Sequence, residues 1–234
     1  MARAWIGTSG FSYKEWRPSF YPEDLSEKGF LSFYASRFSS VEIDYTFYRM
    51  PNAKTIDGWK AATGENFRFA IKASQKITHR ERLKTPSEAL TYLVGIVSHL
   101  ESRLGVLLFQ LPPYFRSDSQ KLESFLAALP PDLPRAFEFR HDSWFTDETY
   151  QLLRDHNAGL CIHDADDHTT PVLLTAKLAY VRLRRSNYTP EGLGEWRERI
   201  RGWVEEGIDV FAYIKHEGNP DAPRIALELS QGLS

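Results

Sequence analysis

Eight short apolar runs recur along this chain, and most are separated by stretches of helical periodicity. That alternation restricts the fold more than any other feature of the sequence. Strands that alternate with helices favour parallel pairing, because each crossover brings the chain back in the same direction and lays a helix over the sheet. The runs occupy residues 4–8, 41–45, 67–73, 106–111, 136–140, 160–164, 179–184 and 210–215. Helical patterns cover 26–38, 53–62, 85–100, 117–129, 147–156 and 221–229. A further helix carries Leu193, Trp196, Ile200, Trp203 and Val204 on one stripe, at core spacing.

Two helix starts are marked by side chains. Thr85-Pro-Ser-Glu88 places an N-cap, a first-turn proline and a capping-box glutamate in order, and Ser117-Asp-Ser-Gln120 reads as a second capping box. The connection over 165–177 is polar and short, with room for a turn of helix at most. Eight such units predict an α/β fold of one domain over 1–234. It is a (β/α)8 TIM barrel with a closed parallel sheet and a short or missing helix between strands six and seven. At 234 residues the chain is near the ~250 typical of that architecture. A hydrophobic share of 42% supplies a core of the required size. The competing open, doubly wound sheet wants a glycine-rich dinucleotide turn after its first strand. Gly7-Thr-Ser-Gly10 lacks the G-x-G-x-x-G spacing and is not a P-loop.

No run approaches the roughly 20 apolar residues of a membrane span. The first residues enter a strand directly, without a signal-peptide core, and the single cysteine, Cys161, lies between Leu160 and Ile162. These features predict a cytoplasmic protein with an inert buried thiol and no membrane partner. A formal net charge of −2 argues against a surface that grips nucleic acid everywhere, though not against a local basic cleft. Nothing in the sequence calls for more than a monomer.

Several longer segments carry a specific resemblance. Ile6-Gly-Thr-Ser-Gly-Phe-Ser-Tyr-Lys-Glu-Trp16 resembles the opening motif of the YecE-like family, and Val41-Glu-Ile-Asp-Tyr-Thr-Phe-Tyr48 its second-strand motif. Phe69-Ala-Ile-Lys-Ala73 with Ile77-Thr-His79, Leu104-Gly-Val-Leu-Leu-Phe-Gln-Leu-Pro-Pro113 and Phe137-Glu-Phe-Arg-His-Asp-Ser-Trp144 resemble the next three. The resemblance implies a (β/α)8 barrel and assigns no chemistry. At fold level the family is similar to metal-dependent barrels that cleave damaged DNA or isomerise sugars, an analogy only. The chain departs from the family pattern at Asp44, where asparagine is usual. It departs again at Arg182-Leu-Arg-Arg185, where Arg-Leu-His-Gly is common, and at Tyr213-Ile-Lys-His216, where paired asparagines are common.

In such barrels the working rim is the C-terminal end of the strands. Side chains alternate along a strand, so Glu42 and Asp44 share a face with the barrel interior, as do Arg68 and Lys72, Glu138 and Arg140, and Arg182 and Arg184. Gln110, His163 and Lys215 are inward candidates from their own strands. Charge buried this way must pair or meet a ligand. A structural network of Glu42 or Glu138 with Arg68, Arg140 or Arg182 accounts for the deeper groups, and a ligand role is assigned to the shallower ones. The loop cations Lys76, Arg80, Arg82 and Lys84, with Arg185, make the rim basic. His216 with Gly218-Asn219 before a helix marks a frequent phosphate position. Rim aromatics (Phe11, Tyr13, Trp16, Tyr45, Tyr48, Tyr114, Trp144 and Tyr188) suit stacking on bases or sugars.

The leading expectation is therefore binding, with hydrolysis or rearrangement, of a phosphate-bearing anion: a nucleotide, nucleic acid or sugar phosphate. Lys72, Arg140 and Arg184 are the anion holders, with Gln110, Tyr13, Tyr48, Trp144 and Lys215 as further substrate contacts. Glu138, Asp44 and His79 are the acid–base candidates. The alternatives are a non-catalytic binder of nucleic acid or an anionic metabolite, and a metal-dependent hydrolase or isomerase. No cofactor is expected. His163-Asp-Ala-Asp-Asp-His168, with His79, His141 and His216, supplies metal-ligand types, but no H-E-x-x-H or paired C-x-x-C occurs and the nearby cations oppose a dication. Ser9 sits outside any G-x-S-x-G elbow.

Overall fold

The computed structural model describes residues 1–215 and 220–233. Its strands are β1 (Ala4–Thr8), β2 (Ser40–Ile43), β3 (Arg68–Lys72), β4 (Leu104–Gln110), β5 (Arg135–Glu138), β6 (Gly159–Asp164), β7 (Leu178–Leu183) and β8 (Asp209–Ile214). All pair in parallel, in the order β1-β8-β7-β6-β5-β4-β3-β2. The outer ring comprises α1 (Phe30–Ala35), α2 (Ala53–Ala62), α3 (Glu88–Val97), α4 (Ser119–Ala127), α5 (Asp147–Asp155), α6 (Pro190–Glu205) and α7 (Ala222–Ser230). This is the expected (β/α)8 TIM barrel, and no helix among the described residues is long and apolar enough to cross a membrane.

Closure between β1 and β2 is made by few groups. Ser9 bridges Glu42, and the Gly10 N–H donates to Glu42 O at 2.7 Å. Below that bridge a tyrosine hydroxyl replaces the ladder: Thr8 N–H donates to Tyr34 Oη at 2.9 Å, and Tyr34 donates to Ser40 O at 3.1 Å. Gly7 permits this approach, because a Cβ there would lie 2.1 Å from Ser40 O. The seam between β5 and β6 is also short, with two paired positions. The chain over 165–177 forms no helix and folds back along β6 instead. Thr170 Oγ1 accepts from His163 N–H and Thr175 Oγ1 from Leu160 N–H, both at 2.8 Å, while Thr170 N–H donates to His163 O.

Two cores follow from strand alternation. Phe69, Phe109 and Phe137 face outward and pack under the helices, whereas Ala70, Val106, Leu108, Ala136, Cys161, Tyr180 and Tyr213 fill the barrel. Trp5 and Phe211 stack at the N-terminal end of that interior. Arg68 belongs to this end: its guanidinium lies 4.8 Å from the Trp5 ring centroid and donates to Glu65 O. Its expected pairing with Glu42 or Glu138 is thus corrected. Arg68 does point inward, but it opens β3 whereas Glu138 closes β5, and the two carboxylates pair with Arg182 instead.

Two helix starts also move. Ser87, not Thr85, caps α3 by accepting from Leu90 N–H, and Asp118, not Ser117, caps α4 by accepting from Lys121 N–H. In each case the cap adopts extended backbone immediately before the first helical residue, as an N-cap requires. The first helical pattern, expected over 26–38, is a 3-10 turn at Glu27–Gly29 running into the six-residue α1.

Candidate functional site

Glu138, Gln110 and Lys72 are the last residues of their strands, and Asp44, Arg184 and Lys215 each follow a strand by one residue. Arg140 lies two residues beyond β5. The parallel sheet therefore gathers them at the C-terminal mouth, where strand ends carry the functional groups of this architecture.

The floor of the mouth is an ion-pair network inaccessible to solvent. Arg182 donates through Nη1 to Glu138 Oε2 at 2.6 Å and through Nη2 to Glu42 Oε1 at 2.7 Å. Glu42 also accepts from Ser9 Oγ and from Tyr180 Oη, each at 2.7 Å. Glu138 Oε1 accepts from Arg140 Nε at 2.8 Å and Gln110 Nε2 at 3.2 Å. Burial works against ionisation of both acids, but the Arg182 charge outweighs it. Glu42 is held down to about 2, and Glu138 well below the usual carboxylate range with Arg140 and His163 assisting. Both remain charged, and each oxygen is engaged as the cost of burying a carboxylate demands.

Above this floor the balance reverses. Lys72 is half-buried, with its amine 4.3 Å from the Phe47 ring centroid. Burial, with the Arg182 and Arg184 charges and against Glu138 and Glu42, lowers its pKa to about 8. Asp44 is shifted the other way: burial and the Glu42 charge raise it, against Arg182, Lys72 and Arg184. His79 lies in the π-helical turn Lys76–Arg80, edge-on to Phe47 with ring centroids 4.8 Å apart. Its pKa is lowered by burial and by Lys72 and Arg140. Phe47 thus organises Lys72, His79 and the exposed Tyr48, whose ring it meets at 5.0 Å. The only mark of Phe47 in the sequence is its place within the second-strand motif.

The other expected contacts divide. Tyr48 is 76% exposed and free to stack, and Tyr13 is half-buried with its hydroxyl on Ser9 O. Trp144 is fully buried, stacked on Phe139 at 4.6 Å, with its indole N–H on Phe115 O at 2.7 Å. Trp144 and the equally buried Trp16 offer no face to a ligand, so both are corrected to packing residues. Tyr188 is tied to Asp164, which also accepts from Arg185 and Trp196. Asp166 accepts from Ser186 N–H, and His141 Nδ1 from Ser143 N–H. Among the described residues no group of three or more His, Cys, Asp or Glu is placed to hold a metal ion. Cys161 is buried in the barrel and its thiol is pushed well up by burial and by Glu138 and Glu42. The expected phosphate position at His216, Gly218 and Asn219 lies outside the described residues.

Known proteins share this frame. The chain is 30% identical to UPF0759 protein YunF of Bacillus subtilis over 257 aligned residues, covering 93% of this chain and 90% of that protein. It is 31% identical to UPF0759 protein YecE of Escherichia coli K12 over 113 residues, covering 48% of this chain and 42% of YecE. The crystal structure of a DUF72 family protein from Thermotoga maritima superposes with a TM-score of 0.85 over 98% of both chains at 26% identity. One from Enterococcus faecalis superposes at 0.80 over 100% of this chain and 95% of the other, at 22% identity, and shows the shared fold alone. The model of "Protein of unknown function DUF72" matches residues 5–234, and the chain therefore belongs to the DUF72 family.

Proposed function

We propose that the C-terminal mouth binds an anionic, phosphate-bearing ligand. Lys72 carries this reading. Burial and two neighbouring guanidinium groups already disfavour its charge, and among the described residues its amine makes no ion pair. An anion at the mouth supplies the direct ion-pair partner that Glu138 and Glu42, both engaged with Arg182, do not. Arg182 is unavailable for this, being held between Glu42 and Glu138, whereas Arg140 spends one N–H on Glu138 and keeps a third of its side chain exposed. Arg184 adds its charge from the end of β7. Cations focused at the mouth of a slightly acidic protein favour anions there.

In this reading Glu138 orients Arg140 and Arg182 rather than moving protons, because both of its oxygens accept hydrogen bonds from neighbouring side chains and the Arg182 charge holds it ionised. The proton-transfer roles fall to Asp44, whose raised pKa lets it hold a proton more readily than a free carboxylate, and to His79, kept neutral beside Lys72. The protein is read as cytoplasmic, acting on a nucleotide, nucleic acid or sugar phosphate. A thermal-shift screen with inorganic phosphate, phosphate esters, nucleotides and short DNA and RNA tests this, since a ligand that binds the folded state raises its melting temperature by mass action. Stabilisation by phosphate-bearing compounds, sharply reduced in Lys72→Met, is expected. No shift with any of them at millimolar concentration overturns the reading.

A further inference from the structure

Among the described residues His163 is the one imidazole that a strand turns inward, and it takes no part in the hydrogen bonds of the network around it. It is 7% exposed, on the same face of β6 as Cys161, and in register with Arg182 of β7. Its Nδ1 lies 3.9 Å from Glu138 Oε1, beyond hydrogen-bond distance, and neither ring nitrogen has a hydrogen-bond partner among the described residues. Its backbone, by contrast, is fixed on both sides by Thr170. A buried polar group in a rigid setting is ordinarily satisfied, because an unmade hydrogen bond costs the full desolvation of the group. Every other polar side chain of the floor, namely Ser9, Glu42, Gln110, Glu138, Tyr180 and Arg182, has at least one partner within 3.2 Å.

We infer that the mouth takes a small phosphate monoester bearing alcohol hydroxyls, a sugar phosphate in chemical class, with His163 hydrogen-bonding a hydroxyl at the inner end while the rim cations hold the phosphate. This rests on the anion-binding reading and narrows it. A neutral imidazole has one N–H and one lone pair. An alcohol can accept from the first or donate to the second, whereas an anion can use the N–H alone. The Glu138 carboxylate beside Nδ1 also repels a second negative group there. The cations are placed differently: Lys72, Arg140 and Arg184 end or follow their strands and are each half-buried, so the anionic end belongs outside and the neutral end inside. The depth of His163 favours a compact molecule entering end-on over a polymer lying across the rim. Two hydroxyl positions on a sugar suit an imidazole with two buried, unpartnered nitrogens.

The test is calorimetric titration of the full chain with inorganic phosphate, methyl phosphate and ribose 5-phosphate. The wild-type protein is expected to bind ribose 5-phosphate about tenfold tighter than methyl phosphate, the gain of one or two neutral hydrogen bonds. His163→Phe is expected to abolish that preference, so that ribose 5-phosphate and methyl phosphate bind the variant equally, and His163→Gln, which retains a donor and an acceptor, to keep part of it. Equal wild-type affinity for methyl phosphate and ribose 5-phosphate overturns the inference without any variant. So does a preference that survives in His163→Phe, which would make His163 a core imidazole satisfied by water. Wild-type protein that binds none of the three compounds fails the anion reading itself, and the sugar-phosphate assignment falls with it.

Discussion

Arg182 Nη1 and Glu138 Oε2 lie 2.6 Å apart at the centre of the barrel, where neither side chain is exposed to solvent. Arg182 is simultaneously bound to Glu42, so one guanidinium neutralises part of two buried carboxylates. Removing it leaves both without their main counter-charge. Arg182→Met is expected to cost about 3–5 kcal/mol of stability, the range for breaking a buried pair from one side. Replacing all three groups by neutral residues of similar size is expected to recover much of that loss. Urea unfolding of the single and triple variants measures both.

Acid should act in two stages. His163 is lowered from 6.5 to about 4 by burial and by Arg182, Arg140 and Arg184, against Glu138. The folded chain thus binds its proton later than the unfolded chain, and stability is lost as pH falls from 6.5 towards 4. Glu42 and Glu138 also have depressed folded-state pKa values. Their contribution is complete above the ordinary 4.5 and is lost below it, towards about 2 for Glu42. Melting temperatures across this range are expected to fall continuously in the wild type, and to stay flatter between pH 6.5 and 4.5 in His163→Phe.

Lys72 sets a second pH dependence. Its amine is charged below about 8 and neutral above it, so phosphate affinity is expected to be highest on the acid side and to decline as pH rises through 8. The bound anion favours the charged amine and should move that midpoint upward. Lys72→Met is expected to weaken phosphate binding about tenfold and to remove the decline. Titration calorimetry at several pH values reads both effects.

Trp144 separates packing from contact. Stacked on Phe139 and bonded to Phe115 O, it holds the segments after β4 and β5 together. Trp144→Ala is expected to destabilise by about 3–5 kcal/mol while the folded variant binds phosphate with wild-type affinity. An affinity loss in folded protein would show that the indole reaches the ligand after all.

Gly7 tests closure. A Cβ at this position meets Ser40 O and the Tyr34 hydroxyl that substitutes for the β1–β2 ladder. Gly7→Ala is expected to lower stability by about 1–3 kcal/mol through overpacking, as measured by urea unfolding.

Much of this was legible in the sequence because strand alternation is a local rule. The inward faces of Glu138 and Arg140, of Lys72 and of Arg182 and Arg184 follow from period two once the strands are found. Depth along the barrel is not local. Arg68 and Lys72 share a face, yet one lies against Trp5 at the N-terminal end and the other at the mouth. Which end meets Glu138 depends on register across several strands. Phe47 escaped for a related reason, since its value comes from Lys72 and His79, which reach it from the segment of β3. Trp144 was misplaced because a loop residue beyond a strand can turn outward to the rim or inward to the helices, and residue type does not distinguish the two. The unsatisfied ring of His163 is visible only when all of its neighbours are placed.

The most direct test of the mouth as an anion site is the melting temperature of wild-type and Lys72→Met protein with and without millimolar inorganic phosphate at low ionic strength. Phosphate is expected to raise the wild-type value and to raise the variant's much less. An equal shift in both proteins, or none in either, contradicts the account.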